Sequence, residues 1–369
     1  MPTAPVDDHG TVLYYEDTGP VAGSDSYVTA VLIHGLIYHG GVFHPLLPLA
    51  EKYGIRLVIV NWRDYPGSSP YTPPEIAAFQ GDYQTQASIM EDQGRQIAKF
   101  LEWFVTKHKV PQLRVIDGKK SGGLSVLAWS LGNVFLLAFL AYAHKLEEKT
   151  KSVLEKYLRS AIVFGQQCLS FQEDSLTDPY VDPPVKALGK PIPKECYVPF
   201  EDPTIKPEAL AEAFLVWVST YYTPISDITN LTTSDLSMQA RPADLKRLPT
   251  ILQMSQEQRE AVTDVPVLFR SAGIYLASIH PDLFWQHFMG SVLDTKGVWP
   301  DMNVVLLWCD SAISETAWGA KVMADALKEH ETKSETVKRR TDMYKIENAN
   351  HLVHWDDPER MMHILTVHA

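Results

Sequence analysis

Cysteine is scarce in this chain, with three among 369 residues: Cys168, Cys196 and Cys309. An odd number cannot all pair, and their spacing fits no zinc pattern, so neither a disulfide scaffold nor a structural zinc site is expected. Positive charge is also in deficit, with 33 Lys and Arg against 45 Asp and Glu and a formal net charge of −12. Phosphate contacts need clustered cations, so nucleic acid is excluded as a partner. The densest basic stretch, Lys333 to Arg340, is interrupted by Glu335 and reads as a solvated face. No run reaches the ~18 apolar residues that span a bilayer. The longest, Val134 to Ala143, reads as a buried helix, and no membrane partner is expected.

The first residues, Met1-Pro2-Thr3-Ala4-Pro5-Val6-Asp7-Asp8, have neither the basic start nor the apolar middle of a secretory signal. With so few cysteines, a reduced, cytoplasmic setting follows. Asn230-Leu231-Thr232 could accept a glycan only in a secreted chain. Gly122-Gly123 precedes a strand and reads as a turn, not a phosphate loop. His39, His44, His280 and His287 form no convincing ligand set. Neither metal nor cofactor is therefore expected.

What is present is ordinary globular material, 45% hydrophobic and 21% charged, in a chain long enough for one large domain with an insertion, or for two domains. Apolar runs alternate with helical patterns, which predicts an α/β fold with a mainly parallel, twisted sheet and helices on both faces. Strands are expected at Thr11 to Glu16, Val28 to Ile33, Arg56 to Asn61, Ser160 to Phe164 and Asn303 to Asp310, with a short last one at Met343 to Ile346. Helices are expected from Val42 to Lys52, Tyr83 to Lys107 and Ala317 to His330. Ile89, Ile97, Phe100, Leu101 and Phe104 fall at helical spacing within the second of these.

From residue 166 to 294 the rhythm changes. Prolines cluster from Pro179 to Pro203, and helical patches follow at Glu208 to Tyr222, Ala243 to Leu248 and Pro281 to Met289. The chain thus divides into a core part (1–165), an inserted helical cap (166–294) and a second core part (295–369). Aromatic residues in the insertion, among them Trp217, Tyr221, Tyr222, Phe284, Trp285 and Phe288, suit the walls of an apolar pocket.

The segment Ser125-Val126-Leu127-Ala128-Trp129-Ser130-Leu131-Gly132-Asn133-Val134 carries the chemistry. A short apolar run ends on a serine between small residues and passes straight into an apolar helix. Such a strand-to-helix turn strains the serine backbone and presents its hydroxyl beside a helix N-terminus. Small residues at 128 and 132 are required because strand and helix backbones nearly touch there. The usual pattern is G-x-S-x-G, and Ala128 replaces its first glycine.

Ile33-His34-Gly35-Leu36 follows the strand-like run Val28 to Leu32, Asp310 ends another, and Asn348-Ala349-Asn350-His351 follows Met343 to Ile346. The order serine, acid, histidine, with an HG turn upstream, resembles the α/β-hydrolase superfamily from about Gly10 onward, and its cap-bearing, esterase-like branch most. Arg63-Asp64-Tyr65-Pro66-Gly67-Ser68-Ser69 also looks like a loop of that family.

The resemblance implies Ser130 as nucleophile, His351 as general base and Asp310 as the carboxylate that orients it. His354, three residues on, is the rival base. Cys309 stands where the family usually has glycine, and Ala312 falls near the usual place of the acid. Glu315 is therefore an alternative acid, and one elsewhere, such as Asp174, stays open. The backbone N–H groups of Leu131 and Leu36 are the expected oxyanion donors. His34 is expected to brace its turn. Tyr38 and His39 read as surface-loop residues, with Tyr38, Trp129, Trp217, Tyr221 and Tyr222 as candidate substrate contacts. The aspartates of Trp355-Asp356-Asp357-Pro358 suit the positive end of a final helix.

These residues imply hydrolysis of a carboxylic ester, thioester or lactone of a small to medium apolar molecule through an acyl-serine. Alternatives are acyl transfer, a lyase or a cyclase step on the same residues, and a ligand-binding protein that keeps a relic site. The partner is a small acyl compound.

Overall fold

Among the described residues there are ten strands, most of them runs of aliphatic and β-branched residues too short for helices and bounded by turns. In chain order these are β1 (Thr3–Pro5), β2 (Val12–Asp17), β3 (Val28–Ile33), β4 (Ile55–Asn61), β5 (Arg114–Ile116), β6 (Lys119–Ser121), β7 (Leu124–Trp129), β8 (Leu158–Phe164), β9 (Asn303–Cys309) and β10 (Thr341–Ile346). The structure is a computed structural model that describes residues 2–166, 193, 195–239, 247–331 and 336–369. Cys168, Asp174, much of the proline cluster and residues 243–246 of an expected helix lie outside that set.

Eight strands form one sheet in the order β1-β2-β4-β3-β7-β8-β9-β10. From β4 to β10 every pairing is parallel, while β2 and β1 join antiparallel at one edge. Central β3 sets Ile33 opposite both Val60 and Ala128. Strands β4 and β7 are buried along their whole length, as a parallel sheet covered on both faces requires. The expected α/β architecture with a mainly parallel sheet is therefore present.

The helix expected over Tyr83–Lys107 forms over those residues, with Asp82 accepting from the Thr85 N–H as its N-cap. It packs against the helix Asn133–Ala141, which also packs against Pro281–Val292. The helix expected from Val42 to Lys52 is instead a 3₁₀ segment, Gly40–Leu49, followed by one α turn, Ala50–Tyr53. Pro45 and Pro48 remove two N–H donors there and clash with a regular α ladder. Other helices follow their expected positions with shifted ends: Leu210–Ser219 and Ser314–Glu331. The final helix runs Pro358–His368, with Asp357 accepting from the Arg360 N–H at its start.

Because β3, β4, β7, β8, β9 and β10 run parallel, their C-terminal ends share one edge of the sheet. Six connections therefore gather there: those after Ile33, Asn61, Trp129, Phe164, Cys309 and Ile346.

Candidate active site

Ser130 follows β7 with φ of +56°, a left-handed conformation that a non-glycine residue adopts at a cost. A short 3₁₀ turn, Ser130–Gly132, leads from it into the helix Asn133–Ala141. The turn has no spare room. A methyl group at position 132 would lie 2.5 Å from the His34 carbonyl oxygen, and one at 35 would lie 2.9 Å from Ser130 Cβ. The two glycines thus let the turn after β3 and the turn after β7 meet, with the Leu131 N–H at the opening of the helix.

The turn after β3 is braced from several sides. The His34 ring is buried, with Nδ1 3.0 Å from the Gly35 carbonyl oxygen, and burial pushes its pKa down to about 3. Trp62 Nε1–H donates to the His34 carbonyl at 3.2 Å. Ile37, at φ +65°, donates its N–H to the Tyr65 hydroxyl at 2.9 Å, and the Tyr65 ring packs edge-on against His34. Leu36 therefore stands between fixed neighbours. Tyr38 is not a surface residue: it is 1% exposed, pairs with Thr263 and sets its ring against Trp129. The short bridge to the inserted segment draws this loop inward. His39 is half-buried and caps the Gly40–Leu49 turn, its Nδ1 accepting from the Gly41 N–H.

His351 lies in the connection after β10 and is buried. The Trp129 indole N–H donates to its carbonyl at 3.0 Å, and the two rings pack 5.0 Å apart. A methyl group at Gly165, the residue after β8, would stand 2.7 Å from His351 Cε1 and 3.0 Å from Nδ1. The imidazole thus lies over the end of β8, next to the strand that delivers Ser130. Neither ring nitrogen has a hydrogen-bond partner among the described residues, and burial pushes the pKa down to about 3. At neutral pH the ring is uncharged, the form a general base needs.

His354 is also buried, between Phe43, Trp129 and Phe164, with neither nitrogen partnered among the described residues. Burial, and then the charge of His351, hold its pKa well below the usual range.

Asp310 directly follows β9 and is 5% exposed. Its Oδ1 accepts from the Ser311 hydroxyl at 2.9 Å, and its N–H donates to the Ile346 carbonyl at 3.1 Å. Ser311 N–H in turn donates to the Ala349 carbonyl, which ties this loop to the one that carries His351. Glu315, in the first turn of Ser314–Glu331, is fully buried, and burial raises its carboxyl to about 8. It is therefore mostly protonated at neutral pH. Burial raises the Cys196 thiol and the Tyr222 hydroxyl, and Glu315 adds to this once it is ionised.

Two of the aromatic candidates use their hydroxyls in structural hydrogen bonds. Tyr222 donates its hydroxyl to the Trp217 carbonyl at 3.0 Å, and Tyr221 donates to Asp356 Oδ2 at 2.5 Å. Trp129 is buried, with its ring against those of Tyr38, His351 and His354. Sequence reasoning passed over Gly165, Tyr65 and Asn350. A glycine closing a buried strand was the signal for the first, and a polar residue immediately before the histidine the signal for the last.

Among the described residues no group of three or more His, Cys, Asp or Glu could hold a metal ion. No described helix is long and apolar enough to cross a membrane.

The profile of a family described as the alpha/beta hydrolase family matches residues 30–363. No curated protein matches the chain. Among solved structures, a laboratory-evolved variant of a potato epoxide hydrolase superposes with a TM-score of 0.53 at 10% identity, covering 99% of this chain and 97% of that one. A thermophilic esterase from Thermogutta terrifontis gives 0.50 at 12% identity, with 97% and 95% covered. At such identities the likeness is one of fold.

Proposed function

The chain belongs to the alpha/beta hydrolase family, and from that premise we propose that it is a serine hydrolase acting on a carboxylic ester, thioester or lactone of a small to medium apolar molecule. The observation that carries this reading is the strained serine, Ser130 at φ +56°, held between two glycines at the end of a buried parallel strand. A carboxylate nucleophile, as epoxide opening in this fold would need, is not what stands at that position.

In the proposed reaction the Ser130 hydroxyl attacks the acyl carbon while His351 takes its proton. The oxyanion accepts hydrogen bonds from the Leu131 and Leu36 N–H groups, each worth about 3 kcal/mol where such donors have been removed. His351 then protonates the departing alcohol or thiol, leaving an acyl-serine. Water, deprotonated by the same imidazole, attacks that ester and releases the acid and the free hydroxyl. Asp310 orients the imidazole and stabilises its charged form, and the ring engages both partners once substrate is bound. Glu315, held protonated by burial, is poorly suited to that task.

Residues 166–294 are read as a cap, and the burial of Ser130 and His351 favours a site from which bulk water is excluded. Buried free thiols at Cys196 and Cys309 accord with a reduced, cytoplasmic setting. The test is turnover of p-nitrophenyl acyl esters of increasing chain length. Ser130→Ala should lower kcat by at least about 1,000-fold, and undiminished turnover in that variant would end the serine mechanism.

A further inference from the structure

The residue before His351 is Asn350, fully buried and hydrogen-bonded in three directions. Its Oδ1 accepts from the Leu352 N–H at 2.9 Å, so its side chain closes a loop around His351 itself. Its Nδ2 donates to the Ser219 carbonyl at 2.7 Å and to Thr250 Oγ1 at 2.8 Å. Both partners belong to the stretch between β8 and β9: Ser219 ends the helix Leu210–Ser219, and Thr250 begins a short one. Thr250 donates its own hydrogen to Asp356 Oδ2 at 2.6 Å, the oxygen that also accepts from Tyr221. Ser219 Oγ accepts from the Ile251 N–H, which joins the two inserted helices to each other.

Asn350, Thr250 and Ser219 are each fully buried, so the bonds among these three are shielded from water, while Asp356 at the end of the chain of bonds is exposed. A buried network of this kind is rigid only when complete, and this one runs from the insertion into the backbone on both sides of His351.

We propose that Thr250 and Asn350 are positioning residues through which the inserted segment sets where the His351 imidazole stands. The proposal rests on the reading of His351 as the general base. A shift of the Leu210–Ser219 helix or of Thr250 moves Asn350, and with it the residue that Asn350 encircles. The cap therefore does more than wall a pocket: its placement and the alignment of the base are one event. Neither side chain touches substrate in this role, so the effect falls on the rate of chemistry and not on affinity.

The test compares Thr250→Val, which keeps the shape and removes the hydroxyl, with Thr250→Ser, which keeps the hydroxyl. Each is assayed in the full chain for kcat, KM and thermal unfolding on the best p-nitrophenyl ester. The expected result is a kcat at least about tenfold lower in Thr250→Val with KM unchanged, and near wild-type kcat in Thr250→Ser. An unchanged kcat, or a change in KM alone, overturns the proposal. If Thr250→Val does not fold, Thr250→Ala carries the same comparison. Should neither fold while Thr250→Ser does, the hydroxyl serves folding only and the positioning role is lost. Ser130→Ala is run beside them: an active Ser130→Ala refutes the serine mechanism, whereas a dead Ser130→Ala with an undisturbed Thr250→Val refutes the positioning role alone.

Discussion

The α-hydrogen face of Gly165 and the imidazole of His351 are in contact, so that a single added carbon would fall 2.7 Å from Cε1. Position 165 also has φ of +60°, where an L side chain costs roughly 1–2 kcal/mol. Gly165→Ala should therefore fold with reduced stability and push the ring from its place. Since a displacement near 1 Å can cost about 100-fold in rate, kcat should fall by that order. Steady-state kinetics on the folded variant decide it, and wild-type kcat would mean that the ring is not held where it acts.

Tyr65 offers a second handle, on the other side of the serine. Tyr65→Phe removes the acceptor of the Ile37 N–H and leaves that buried donor unpaired, a loss of about 1–3 kcal/mol. The turn that presents Leu36 would relax, and kcat should drop, by no more than the roughly 100- to 1,000-fold that one missing oxyanion donor costs. Equal kcat in the two proteins would remove Leu36 from the oxyanion site.

Two carboxyls compete for the acid's part, and substitution separates them. Asp310→Asn should abolish most turnover, while Glu315→Gln should keep it. Glu315 also makes a prediction about stability. Its folded pKa is raised from 4.5 to about 8, so the folded state holds a proton that the unfolded chain releases in that interval. The stability this contributes is complete below pH 4.5 and is lost as pH rises through 8. Glu315→Gln should thus gain stability over wild type as pH climbs from 5 to 8, read by urea unfolding at each pH. A gain that shrinks with pH would contradict this assignment.

Buried histidines act with the opposite sign. Burial pushes His34, His287 and His351 from 6.5 to about 3, and holds His354 well below 6.5. The unfolded chain takes up protons below pH 6.5 that the folded chain refuses, so their stabilisation is intact above 6.5 and drains as pH falls toward 3. Each can contribute up to about 1.4 kcal/mol per pH unit in that window. The urea midpoint should decline steadily from pH 6.5 to 5, and the decline should be shallower in His287→Leu. A midpoint that rises across this range would be incompatible with uncharged imidazoles in the core.

Much of this architecture was legible because it obeys simple periods. The helix Tyr83–Lys107 announces itself by apolar residues at helical spacing, and β4 and β7 by short, mainly apolar runs between turns. The hairpin of β5 and β6 escaped because Val115 and Ile116 are exposed and no alternation betrays them. Asp117-Gly118 was nevertheless a sound signal, since both residues have positive φ, as a type I′ turn demands. β1 was hidden by Pro5, which an edge strand tolerates. The serine and its strained turn follow from local sequence. The grip of Asn350 and the closeness of Gly165 depend on partners far along the chain, which no local pattern encodes.

The hydrogen bond from the Trp129 indole to the His351 carbonyl spans 222 positions of the chain. Closing so long a loop is among the most entropically demanding contacts in the molecule, and one that helices and local turns cannot form in advance. Turnover is accordingly a witness of the finished molecule: a refolding chain could recover its helical signal early, yet remain inert until its two distant ends have met.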